Sequence, residues 1–187
     1  MVSQFVSTHN VGLLTQIAFA FPEGTHAIGR LDNHSEGLLL LTTNKKITKL
    51  LFESKVPHKR VYLALVKYKV TDAQLQQLQN GVTLPARGGG YYVSQPCDVK
   101  IIEAPVFNFA SHYIMNSYIE YTWLQLTLTE GKFRQVRKML AAVKHHCVRL
   151  IRVAIEDIEL GNLPPGEVAE INEADFFRLL RLEKEAG

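Results

Sequence analysis

Cysteine is scarce in this chain: Cys97 and Cys147 are the only two in 187 residues. That is too few for a disulfide framework, and they lie in no spacing that suits a metal. A reducing compartment fits best, so a cytoplasmic protein without a metal centre is expected. Long apolar runs are also missing. No uncharged run that is also predominantly apolar approaches the roughly 20 residues needed to cross a bilayer, since residues 1–22 carry no charge but are interrupted by Ser, Gln, Thr, His and Asn, so no membrane partner is expected. Neither GxGxxG after a strand nor GxxxxGK[ST] occurs, which argues against a nucleotide cofactor. Repeats are absent, and low-complexity tracts amount to no more than the runs Leu38 to Leu41 and Gly88 to Gly90. A further absence is local. Between Lys132 and Arg152 there are seven Lys or Arg residues and no acid, whereas Glu156 to Gly187 holds nine acids and three bases. The overall charge of +3 hides this segregation. One positive surface, with a polyanion as its simplest partner, is the physical expectation.

With 47% hydrophobic residues the chain can bury a core of its own. Ile28 to Asn44, IGRLDNHSEGLLLLTTN, combines polar chemistry, glycine punctuation and an apolar run. Leu38 to Leu41 reads as a strand buried on both faces, with Arg30 the nearest partner for Asp32. Val11 to Phe21 reads as a short helix or apolar segment. Thr43 or Asn44 caps a helix through Ile47, Leu50 and Leu51, with lysines outside. Lys59 to Val70 alternates as a central strand, and Thr71 with Gln74 forms a capping box. From Val82 to Ser117 irregular hairpins and a loop are expected. Tyr121 to Thr129 alternates again. Val136, Met139, Leu140 and Val143 then keep helical spacing, with Arg134, Arg137, Lys138 and Lys144 away from that stripe. Val148 to Ile158 is a strand pair or bent strand, and Asn172 caps a terminal helix. Without regular βαβ alternation, this order predicts α+β with a mainly antiparallel sheet.

Taken singly, the polar residues have bland explanations. Asp32 is most simply a turn aspartate and Tyr62 a packing residue, whereas for the basic helix nucleic-acid binding is favoured over a merely solvated face. Asp32, His34 and Ser35 carry little weight as a triad, since triads assemble in space. His145, His146 and Cys147 do not converge in a strand or a helix, so no metal is expected there. Glu36 is a candidate second carboxylate for glycosidase-type chemistry, with nothing else in its favour.

The ordered set GRLDNHSEGLLLLTTN, KRVYLALV, EGKFRQVRKM and VRLIRVAIEDIELGNLPPGE resembles the RsuA-type ribosomal-RNA pseudouridine synthases. Within them, TWLQLTLTEGKFRQVRKM is most similar to the E subgroup, whose members modify RNA of the large ribosomal subunit. The resemblance implies a two-lobed α+β fold whose mixed, mainly antiparallel central sheet is flanked by helices. It implies an isomerase that converts uridine to pseudouridine in ribosomal RNA, with 23S RNA the expected target and no cofactor. Asp32 corresponds to the catalytic aspartate, Arg30 to the residue that enters the stack as the uridine leaves, Tyr62 to the tyrosine on the uracil, and Arg137 to the basic residue paired with the aspartate. Lys132, Arg134 and Lys138 are expected to contact RNA. Residues 1–187 are expected to form a catalytic domain lacking its usual first strand, with no S4-type domain, and to act as a monomer. An RNA-binding or ribosome-assembly module without turnover is the alternative.

Overall fold

The computed structural model describes residues 3–52, 57–107 and 113–182. Its centre is the strand β4 (Arg60–Lys67), preceded in the chain by three short strands, β1 (His26–Ala27), β2 (Glu36–Gly37) and β3 (Leu41–Thr42), and by helix α1 (Lys46–Phe52). Then come α2 (Asp72–Asn80), β5 (Thr83–Pro85), β6 (Tyr91–Val93), β7 (Asp98–Ile102), β8 (Tyr121–Leu128), α3 (Gln135–Ala142), β9 (Cys147–Ile155), β10 (Ile158–Glu159) and α4 (Glu173–Leu179). The main sheet runs β10-β9-β4-β8-β7, and β2 joins it by pairing with β9. Every pairing within it is antiparallel except β2 with β9. The mainly antiparallel α+β architecture is therefore as expected.

Alternation along β4, β8 and β9 gives the sheet two apolar faces. Ala64, Val66, Leu124, Leu126, Leu128 and Leu150 face one core, closed by Leu78 of α2 and by Val136, Met139 and Leu140 of α3. Leu63, Ile151 and Ile155 face the other, closed by Ile47 and Leu51 of α1 and by Phe176 and Leu180 at α4. Each fully buried side chain of this size contributes roughly 1.5–3 kcal/mol, which makes β4 the least dispensable element. The stripe read in α3 is buried throughout, and of the one read in α1 Ile47 and Leu51 are buried while Leu50 is half-buried.

Local signals in the sequence also hold. Asn44 Oδ1 accepts the Lys46 amide at 3.0 Å, and Asn172 accepts that of Asp175 at 2.9 Å. Thr71 and Gln74 form the reciprocal capping box, and Gln74 Nε2 also donates to Val143 O at 3.0 Å, tying α2 to the end of α3. Thr71→Ala should therefore cost about 1 kcal/mol, read as a lower urea midpoint at unchanged slope.

One expectation needs correction and two are borne out only in part. Leu38 to Leu41 is not one strand: the chain leaves a parallel ladder with β9 and turns into an antiparallel ladder with β1, burying only Leu38 and Leu40. Of the two readings of Val11 to Phe21, the helix is reduced to a single 3₁₀ turn, Leu14–Gln16, in an otherwise non-helical apolar segment. The segment after Val82 holds a hairpin, β5–β6, as expected, but also β7, an edge strand of the main sheet; residues 108–112 of that expectation lie outside the described residues.

Candidate active site

The sheet face shared by β4, β8 and β9 opens at one end into a cleft of about 270 Å³. Arg60 and Tyr62 of β4, Leu128 of β8, and Leu150 and Arg152 of β9 form its floor. Tyr62 is paired in register with Leu126 on one side and with Arg152 on the other. The Gly29–Ser35 loop forms one wall, bringing Arg30, Leu31, Asp32 and Ser35. Glu130 to Val136, the turn into α3, forms the other, with Lys132 and Phe133 at the rim. Asp32, Arg30, Tyr62 and Lys132, four of the residues singled out in the sequence, thus share one space suited to a single nucleotide.

Asp32 is half-buried, and among the described residues its carboxylate has no hydrogen-bond or ion-pair partner. Arg30 is exposed and not paired with it. The other carboxylates nearby are occupied. Glu130 accepts from the Gln95 amide at 2.8 Å and from Gln135 Nε2. Glu36 is held by Arg149 through Nε at 3.0 Å and Nη2 at 2.9 Å and does not line the cleft, so it is no second carboxylate for glycosidase-type chemistry. Burial pushes the thiols of Cys97 and Cys147 up to about 11, so neither is a nucleophile at neutral pH. No metal-binding cluster occurs among the described residues.

Arg137 takes a different place from the one expected. Its Nη2 donates to His34 O at 2.5 Å and its Nη1 to Cys147 O at 2.9 Å. Arg134, at the N-terminus of α3, reaches Asn33 O at 3.5 Å. Both arginines grip the backbone of the loop that presents Asp32, and the loop is further fixed by Ser35 N to Asp32 O at 2.9 Å and by Leu31 N to Ser3 Oγ at 3.0 Å. Held left-handed at φ 65 and φ 52, His34 and Arg134 mark a strained clamp on both sides. Lys138 donates to Pro85 O at 2.9 Å and lies 5.6 Å from the Phe133 ring centre, which places a positive charge at the cleft rim.

Two arginines on the floor were not singled out in the sequence. Arg60 is 6% exposed and Arg152 5%. Burial lowers the Arg60 pKa; the Tyr62 hydroxyl opposes this, the charge of Arg152 adds to it, and Glu156 opposes it. An arginine inside an otherwise apolar strand is the signal that could have found them, because such a charge needs a reason to be buried.

The sequence pattern of the RNA pseudouridylate synthase family matches residues 13–142. A ribosomal large subunit pseudouridine synthase E of Vibrio vulnificus is 34% identical over 172 residues, covering 91% of this chain and 70% of that protein. One from Xanthomonas campestris is also 34% identical, covering 89% and 88%. An RNA pseudouridine synthase of Aquifex aeolicus is 31% identical, and the match covers 86% of this chain but 57% of that relative's length. Among solved structures, a pseudouridylate synthase superposes with a TM-score of 0.71 at 25% identity, over 89% of this chain and 65% of that one.

Proposed function

This chain belongs to the RNA pseudouridylate synthase family, and we propose that it isomerises uridine to pseudouridine in ribosomal RNA, with Asp32 as the catalytic group. The observation that carries the assignment is the Asp32 carboxylate, unpartnered among the described residues, in the wall of a cleft floored by Tyr62 and arginines. The reaction exchanges the C1′–N1 bond for a C1′–C5 bond. N1 gains one proton and C5 loses one, so no redox partner or ATP is consumed. One ionised carboxylate suffices, whether it adds to the nucleoside or takes a ribose proton. Tyr62 offers a ring for the base, and exposed Arg30 at the mouth can fill the gap left by a flipped nucleotide. The similarity to E-type enzymes favours large-subunit RNA as the substrate, and residues 1–187 read as a catalytic domain.

The test is incubation with protein-free, unmodified bacterial 23S RNA followed by mass spectrometry and chromatography. Pseudouridine without free uracil is expected. Free uracil would make the protein a hydrolase, and salt-sensitive RNA binding without product would make it an assembly module. Binding should weaken steeply with salt, and Lys132→Ala or Lys138→Ala should each reduce the slope of log affinity against log salt by about one.

A further inference from the structure

Building on the function proposed above, we propose that Arg152 is a second catalytic residue: its guanidinium donates to a uracil carbonyl oxygen and stabilises the negative charge the base carries when the C1′–N1 bond breaks. Its placement is rigid. Gly37 and Arg152 are register partners, Leu38 N donates to Arg152 O at 2.8 Å, and Arg152 Nε donates back to Leu38 O at 2.9 Å. That bond fixes the plane of the guanidinium, and Arg152 is one of the residues that line the cleft. Nη2 is shut off from water and has no hydrogen-bond partner among the described residues. No carboxylate among the described residues pairs with this side chain, since Glu36 is taken by Arg149, Glu130 by Gln135 and the Gln95 amide, and Glu156 by the Lys59 amide and Arg181.

A buried cation with unused donors is costly, because burial of a charge is compensated only by good partners. The fold holds one here on the floor of a cleft whose own carboxylate has no partner among the described residues. A ligand acceptor satisfies the guanidinium donors. Tyr62 and Arg152 are register partners, so a base lying on the tyrosine ring has its edge within reach of the guanidinium. Phosphates suit the rim better, where Arg30 and Lys132 are exposed.

When the C1′–N1 bond breaks, its electron pair stays on the base and spreads from N1 onto O2 and O4. The pair is used again when C5 bonds to C1′; the C5 proton then leaves and N1 takes one up. An arginine keeps its proton throughout and stabilises the anion by charge and hydrogen bond, which is worth far more in a water-poor cleft than in solvent.

Arg152→Met and Arg152→Gln test this in single-turnover reactions of the full chain on unmodified 23S RNA. Pseudouridine formation should fall about 100-fold or more in Arg152→Met and less in Arg152→Gln, which keeps a neutral donor. RNA dissociation constants from filter binding should move less than about threefold. Consumption of 5-fluorouridine RNA should be less impaired than that of uridine RNA, since fluorine already stabilises the departing anion. Rates within about threefold of wild type, equal losses in rate and binding, equal defects on the two bases, or loss of the folded circular-dichroism spectrum in both variants would each overturn the proposal. A wild type that makes no pseudouridine would instead overturn the function on which it rests.

Discussion

Asp32→Asn should abolish pseudouridine formation, lowering turnover by roughly 10⁴-fold, while leaving stability within about 0.5 kcal/mol of wild type. The two halves of this expectation come from the same observation. The Asp32 carboxylate has no hydrogen bond or ion pair among the described residues, so replacing it with an isosteric amide removes no folding interaction. The turn it begins is closed by its backbone carbonyl, which accepts from Ser35 N at 2.9 Å, and asparagine retains that bond. What the amide cannot do is act as an anion toward carbon or toward a ribose proton. Thermal melts with tritium-release or mass-spectrometric assays separate the cases. Equal product from wild type and variant would end the catalytic assignment. A stability loss above about 1 kcal/mol would return Asp32 to the role of a structural turn residue.

The sheet and its helices were legible because their burial follows period. β8 buries Thr122, Leu124, Leu126 and Leu128 in strict alternation, and α3 buries Val136, Met139 and Leu140 at helical spacing. The edge strand β7 was not legible: its five residues carry no clean alternation, and its place depends on pairing with β8, whose register no local pattern encodes. The run Leu38 to Leu41 misled for a related reason. Four leucines look alike in sequence, yet the chain changes partner strand within them, from β9 to β1.

The cleft divides in the same way. Asp32, Arg30 and Tyr62 were singled out by motif and Lys132 by the run of basic charge, and the fold places all four on one cleft. Arg137 was found too, but its work depends on carbonyl oxygens at His34 and Cys147, which no residue-type pattern reveals. It holds the loop that carries Asp32 and makes no bond to the carboxylate itself. Arg152 was counted only as one more charge in a basic run. Its burial on the cleft floor arises from long-range pairing of β9 with β4 and β2.

Gly37→Ala should destabilise the protein by about 2–5 kcal/mol, a large share of a typical domain's stability. Two costs add at this position. The backbone has φ +102, where an L side chain is strained by about 1–2 kcal/mol. A Cβ there would also lie 2.3 Å from Arg152 O and 2.8 Å from Arg152 N, both backbone atoms that cannot swing aside. The strands must then separate, breaking the Leu38 N to Arg152 O bond and moving the anchor of the Arg152 guanidinium. Comparison with Gly24→Ala isolates the second cost, because Gly24 has φ +80 but nothing within 4 Å of its would-be Cβ. Urea unfolding of the two variants should differ by about 1–3 kcal/mol, with Gly37→Ala the weaker. Equal losses would mean that conformation alone, not the close approach of β2 to β9, demands the glycine. Because that approach also sets the guanidinium on the cleft floor, the Gly37→Ala protein that remains folded should turn over more slowly than wild type even at saturating RNA. The Gly24→Ala protein should not.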